Sequence, residues 1–254
     1  MSDINSIIQD KLNEIERTEN VRILHCVESG SRAWGFASPD SDYDVRFIYI
    51  RNKEHYLKLE QTRDVIEWQL DDTLDINGWD LQKTLRLLHK SNPTVFEWNN
   101  SPIVYRTTDI WQSMSGIINN CFDSKSGMYH YISTAASNSR AYLRGDTVKL
   151  KKYFYAVRPI LAAKWIAEKG TPPPMLFSEL VAAELEDDIK PIIEMLLELK
   201  VNSPETTHGE RIEELNDYIN ISLEKLNSIA EGLPSSEKAD WKLLDEAFLY
   251  ALEN

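Results

Sequence analysis

Residues 42–50, DYDVRFIYI, carry an apolar or aromatic side chain at every second position. In an extended chain successive residues point to opposite faces, so Tyr43, Val45, Phe47 and Tyr49 fall on one side and Asp42 and Asp44 on the other. This is the pattern of a strand with one face in a core and one face carrying chemistry. The preceding run VRILHCVE (21–28) reads as a mostly buried strand ending at Ser29-Gly30, and residues 64–70 and 73–77 read as further strands of the same sheet. A short helical turn is expected from Arg32 to Gly35, with Ser38-Pro39-Asp40-Ser41 as a loop.

Outside this region helical spacing dominates. Ile4, Ile7, Ile8, Leu12 and Ile15 predict an amphipathic helix over residues 3–17, and Asp80 is placed to cap a helix carrying Leu81, Leu85 and Leu88. SNP at 91–93 restarts a helix through Val95, Phe96 and Trp98, and WQSMSGIINNCF reads as one more. From Ser124 onward no strand is expected; helices are predicted near 126–144, 147–169, 185–200, 207–231 and 235–252, with PPP at 172–174 as a break. Strands first and helices later predict an α+β chain: a small mixed sheet with flanking helices over 1–123, then a helical domain over 124–254.

The chain is 42% hydrophobic and 27% charged, an ordinary globular composition. No apolar run approaches the roughly 18 residues that span a bilayer, and MSDINSIIQDKLNEIERTEN is no signal peptide. Cys26 and Cys121 give neither a disulfide framework nor zinc spacing, so a cytoplasmic protein without membrane partners is expected. The net charge of −13 argues against broad non-specific nucleic-acid binding. One stretch runs the other way: residues 140–164 hold Arg140, Arg144, Lys149, Lys151, Lys152, Arg158 and Lys164 against Asp146 alone, either a solvated helix face or a seat for phosphate.

Two carboxylates on one strand face, about 6 to 7 Å apart, repel each other unless a cation or water separates them. Asp42 and Asp44, with Asp75 in TLDIN as a third acid, supply the oxygen ligands that suit Mg²⁺ or Mn²⁺. Gly30 lets backbone approach a ligand closely and Ser31 adds a hydroxyl and an N–H at the start of a helical turn, about a dozen residues before the acids. His25 reads as a satisfied core residue, none of the five histidines has ligand spacing, and Trp34 and Phe36 are expected to pack under the Gly-Ser turn.

Gly30-Ser31, then Asp42-Tyr43-Asp44-Val45 and a later strand acid, resemble the DNA polymerase β-like nucleotidyltransferase superfamily. More narrowly, GSRAWGFASPDSDYDVRFIYI, SNPTVFEW with SPIVY, and KKYFYAVRPILAAKWI are similar to the RlaP/YcgL-type nucleotidyltransferases, up to about Leu180. The resemblance implies a transferase that moves a nucleoside monophosphate from a triphosphate, ATP foremost, to an acceptor hydroxyl and releases pyrophosphate. It implies two Mg²⁺ or Mn²⁺ ions on Asp42, Asp44 and Asp75, with Asp71, Asp72 and Asp80 crowding the third position. It implies triphosphate contacts from Gly30, Ser31, Arg32 and Ser41, and from Lys152, Lys151 and Arg158 in the helical part, with Tyr153 at the base or ribose. An RNA end is the acceptor suggested by the family's link to RNA repair; a protein or aminoglycoside-like acceptor, or a non-catalytic nucleotide-binding or antitoxin-like module, are the alternatives.

Overall fold

The computed structural model describes residues 3–254 apart from 39, 61, 72, 203–207 and 235–238, and not the side chains of 70, 201 and 202. The first helix, α1 (Ile4–Glu19), buries Ile8, Leu12 and Ile15 from the apolar stripe read in the sequence, and closes at Asn20 in the left-handed conformation. Then come β1 (Arg22–Glu28), the single turn α2 (Gly30–Ala33), β2 (Tyr43–Ile50), α3 (Lys53–Tyr56), β3 (Val65–Leu70) and β4 (Leu74–Asp80). Helices α4 (Leu81–His89) and α5 (Pro93–Asn99) start where expected: the Asp80 side chain accepts from the Gln82 N–H, and Asn92 accepts from the Thr94 N–H. A short strand the sequence did not announce, β5 (Val104–Thr107), follows. The helix expected over WQSMSGIINNCF is two, α6 (Asp109–Ser113) and α7 (Ser115–Asn120), interrupted at Met114.

These strands form one mixed sheet in the order β3-β4-β2-β1-β5. β2 lies in the middle, antiparallel to β1 and parallel to β4. Both faces are covered, which is why β1 reads as a nearly continuous apolar run. On one face α1 packs over Ile23, Cys26, Val45, Phe47, Tyr49 and Ile76. On the other, α4 to α7 cover Leu24, Val27, Ile48 and Ile50.

The second half is helical: α8 (Ser124–Tyr142), α9 (Lys152–Lys169), α10 (Phe177–Glu184), α11 (Lys190–Asn202), α12 (Glu213–Gly232) and α13 (Trp241–Glu253). The expectation of no strand beyond Ser124 is corrected by a two-stranded ribbon, β6 (Thr147–Lys149) with β7 (His208–Glu210). Three-residue strands are too short to show a period, and pairing across 60 residues is not written in either segment; the helix expected from 147 therefore starts at Lys152. Parts of the helices expected near 207–231 and 235–252 fall on residues outside those described. Aromatic and aliphatic side chains of α8 to α12 form a second core around Phe154, Ile160 and Phe177. The last helix does not join it: α13 buries Leu244, Ala247 and Ala251 in the core against α4. No helix among the described residues is long and apolar enough to cross a membrane.

His25 is the satisfied core residue expected. Its ring stacks on Trp111 at 5.1 Å, with Nδ1 at 3.2 Å from the Thr107 hydroxyl and Nε2 at 3.2 Å from the Trp98 carbonyl. Burial pulls its pKa down to about 4, against the bond to the Trp98 carbonyl, which raises it. The unfolded chain therefore binds a proton that the folded one refuses between pH 6.5 and about 4. Stability is expected to fall with falling pH across that window, by up to roughly 3 kcal/mol from this residue. Urea denaturation at a series of pH values should show this component in the native chain and its disappearance in His25→Gln.

Candidate active site

The site forms where β1 ends and β2 begins. The Ser29 N–H donates to the Asp44 carbonyl at 2.8 Å, fixing the chain as it leaves the sheet. Gly30 then takes φ +60°, and a Cβ built on it would stand 2.0 Å from Oδ2 of Asp44. Both facts require glycine: the left-handed conformation strains other residues, and the Asp44 carboxylate lies against the bare Cα. The turn that follows is held by hydroxyls. Ser31 donates to Ser41 Oγ at 3.2 Å, and the Ser38 N–H donates to the same oxygen at 3.0 Å. Arg32 spans the loop, donating from Nε to the Asp42 carbonyl (3.0 Å) and from Nη2 to the Ser41 carbonyl, with its guanidinium 3.7 Å over the Tyr43 ring.

Parallel pairing of β2 with β4 sets Asp44 directly beside Asp75. One guanidinium nitrogen of Arg46 bonds to both acids, at 2.8 Å to Asp44 Oδ1 and 2.6 Å to Asp75 Oδ2. Its other terminal nitrogen donates to the Asp75 carbonyl at 2.7 Å. The sequence contained the signal for Arg46, since the period of two that puts Asp42 and Asp44 together continues to residue 46. Beneath lies Glu28, fully buried. It accepts the Asp44 N–H at 2.8 Å and the Tyr105 hydroxyl proton on its second oxygen. Burial pushes its carboxyl up to about 7; those two hydrogen bonds oppose the shift and the charge of Asp44 adds to it.

A family profile for RlaP, the RNA repair pathway DNA polymerase beta family, matches residues 4–250. The chain belongs to the RlaP family. It is 45% identical over 251 residues to the uncharacterized protein YcgL of Bacillus subtilis (strain 168), covering 97% of this chain and 95% of that one. The crystal structure of a nucleotidyltransferase-like protein from Exiguobacterium sibiricum 255-15 aligns over 90% of this chain and 75% of its own. At 14% identity and a TM-score of 0.31, that superposition is too loose to carry any argument. RlaP membership makes the chain a polymerase β-like nucleotidyltransferase, a transferase whose substrate class is the nucleoside triphosphates.

Within this RlaP chain the structure brings together Gly30, Ser31, Arg32, Ser41, Asp44 and Asp75. Asp42 sits one residue before the β2 ladder and is half-buried. Of the crowding acids, Asp80 caps α4, Asp71 is exposed and accepts the Thr73 and Leu74 N–H groups, and Asp72 lies outside the described residues. Trp34 and Phe36 do pack under the turn, Trp34 edge-on to Tyr155 at 5.7 Å and Phe36 against Phe154 and Phe177. Through these rings α9 reaches the turn. Lys152 lies at its start, with its ammonium 4.5 Å from the Tyr155 ring, and Lys151 precedes it, half-buried.

Two residues of the same segment are buried and held by partners within the chain. Tyr153 is fully buried, and its hydroxyl accepts from the Ile212 N–H (2.8 Å) and the Asn216 amide (3.0 Å), inside the helical core. Arg158 is 3% exposed; it donates to Glu97 at 3.0 Å and lies 4.6 Å over the Trp34 ring. Its charge is spent tying α9 to α5, because a guanidinium buried this far is stable only beside an acid. Among the described residues no three His, Cys, Asp or Glu side chains are gathered as a metal site.

Gly30→Ala is expected to abolish nucleotidyl transfer while costing only about 1 to 2 kcal/mol of stability. The added methyl group must push the Asp44 carboxylate off its seat. Parallel urea titrations and pyrophosphate-release assays check both halves; an active Gly30→Ala chain would show that Asp44 needs no such seat.

Proposed function

We propose that this chain transfers a nucleoside monophosphate from a triphosphate, ATP foremost, to an acceptor hydroxyl at an RNA end. The single observation that carries the reading is the juxtaposition of Asp44 with Asp75, against a glycine turn, on a positive charge. Both acids already converge on one cationic nitrogen, so the place between them suits a cation. Their hard oxygen donors fit Mg²⁺ or Mn²⁺ in kind. Asp42 would complete the set by swinging towards Asp44, and Arg46 would have to leave it. When bound, two such ions would supply charge neutralisation for the phosphates and the reacting oxygens.

The chain's own residues would do the rest by positioning. Gly30 and Ser31 offer the turn to the β and γ phosphates, with Arg32 and Ser41 fixing the loop behind them and Lys151 and Lys152 approaching from α9. The acceptor hydroxyl gives its proton to the Asp75 carboxylate while its oxygen forms a bond to the α-phosphorus and the bond from that phosphorus to the bridging oxygen breaks; pyrophosphate leaves with the electron pair. Holding the two in line requires no covalent enzyme intermediate. The RNA acceptor is supported by the description of the RlaP family.

Incubation with each α-labelled triphosphate and Mg²⁺ or Mn²⁺, against separate RNA, protein and small-molecule pools, is expected to label the RNA pool. Asp44→Asn should fold and lose labelling; full activity in that folded variant removes the carboxylate chemistry from the reading. Label in another pool reassigns the acceptor, and tight nucleotide binding without turnover in any pool favours a binding module. Arg46→Gln is expected to bind Mn²⁺ about fivefold more tightly, since the ion no longer competes with an internal ion pair worth about 1 kcal/mol. Titration of free Mn²⁺ by electron paramagnetic resonance reads this directly, and weaker binding would make Arg46 a support of the cation rather than its competitor.

A further inference from the structure

The connection from α8 to α9 carries a cluster of charge of which the reacting site uses only Lys151 and Lys152. Residues 140–152 hold Arg140, Arg144, Lys149, Lys151 and Lys152 against Asp146 alone, in a chain of 41 acidic and 28 basic residues. Arg140 lies in the last turn of α8, and Lys149 lies on the ribbon strand β6 opposite His208. Arg140, Arg144 and Lys149 are exposed, and none of them has an acidic partner among the described residues. The nearby acids are few: Asp146 lies beside Arg211, and Glu210 pairs across the ribbon with Thr147.

Amid these cations stands an exposed ring. Tyr142, the last residue of α8, is 47% exposed and so open to a stacking partner. The Lys152 ammonium sits 4.1 Å from its ring centroid and 4.5 Å from that of Tyr155. Tyr155 in turn meets Trp34 edge-on, and Trp34 directly follows the α2 turn whose Gly30 backs Asp44. A continuous line of ring and cation contacts therefore joins Tyr142 to the reacting carboxylates.

We propose that this end of the α8–α9 pair is the docking surface for a single-stranded nucleic acid, the acceptor strand of the reaction. Arg140, Arg144 and Lys149 contact its phosphates, Tyr142 stacks one of its bases, and the strand's terminal hydroxyl is thereby led towards Asp44. The inference rests on the nucleotidyl-transfer reading and adds the surface that selects its acceptor. An interleaving of cations with an exposed aromatic ring matches a single strand, whose bases offer free faces while its backbone offers charge. A duplex hides those faces, and an acidic polypeptide would use the cations but not the ring. The negative charge of the rest of the chain confines the strand to this end by repelling it elsewhere.

The test is fluorescence anisotropy of a labelled single-stranded RNA oligonucleotide, measured over a range of salt concentrations with the full chain. Replacing Arg140, Arg144 and Lys149 together by Gln should weaken binding and lower the slope of log affinity against log salt by about 2. Tyr142→Ala should weaken it roughly five- to a hundredfold with the slope unchanged, and Tyr142→Phe should restore it. All these side chains are exposed, and thermal melting checks that the variants remain folded. Native affinity and slope in the triple variant overturn the proposal, as does binding indifferent to Tyr142→Ala. Equal binding of duplex RNA, or equally effective competition by polyglutamate, overturns it as well and points to a shape-read duplex or an acidic protein. Failure of the underlying reading is separable. If the native chain releases no pyrophosphate with any acceptor yet binds RNA with this dependence on Tyr142 and the cations, the surface stands and the transfer chemistry falls. Asp44→Asn should bind the RNA as the native chain does.

Discussion

The carboxylate end of the sheet depends on two like charges being held side by side. Asp44 and Asp75 occupy facing positions of a parallel strand pair, so the register of β2 on β4 forces their carboxylates together whether or not a ligand is bound. Like charges that close are tolerated only with a compensating cation. Arg46 supplies it, reaching both acids with one nitrogen and the Asp75 carbonyl with the other. The buried layer beneath serves the same end: Glu28 receives the Asp44 N–H, and Ser101 and Tyr105 in turn hold Glu28. A core of this kind keeps the acids in place at a cost in electrostatic energy, which is how a site is made ready for positive charge.

The helical half is coupled to that site through rings and one buried ion pair. Arg158 of α9 reaches Glu97 of α5, and Glu97 also accepts from Tyr131 of α8, so a single carboxylate gathers three helices at the junction of the two halves. Removing one partner of such a pair costs about 3 to 5 kcal/mol because the other charge is left buried. Trp34 lies under the Arg158 guanidinium, which places the α2 turn in the same assembly. Movement of α9 against the sheet would therefore be felt at Gly30.

The sheet was legible in the sequence because its central strands are long and patterned. Residues 42–50 alternate, 21–28 are mostly apolar, and Asp80 announces α4. The closeness of Asp44, Asp75 and Gly30 could be anticipated because strand geometry and glycine's backbone freedom set their positions locally. What could not be read were features made by distant pairing. β5 and the ribbon of β6 with β7 are too short to have a period, and the burial of Tyr153 depends on Ile212 and Asn216, some 60 residues away. KKYFY looks like a uniformly ligand-facing segment, yet helical geometry sends Tyr153 inward and leaves Lys152 near the surface. Arg46 is the opposite case, set on the same strand face by the very alternation that reveals the acids.

The return of α13 to the first half has a consequence for how the chain acquires its shape during synthesis. Leu244, Ala247 and Ala251 fill the face of the sheet layer formed by α4, and the guanidinium of Arg22 on β1 donates to the Ala251 carbonyl at 2.8 Å. Domains emerging from a ribosome generally fold from the N-terminal side as units. Here the sheet that holds the carboxylates is made first but its outer layer is finished by α13, a helix made much later. Until then the α4 face is an open apolar surface, and the nascent sheet waits on a segment made about two hundred residues after its first strand.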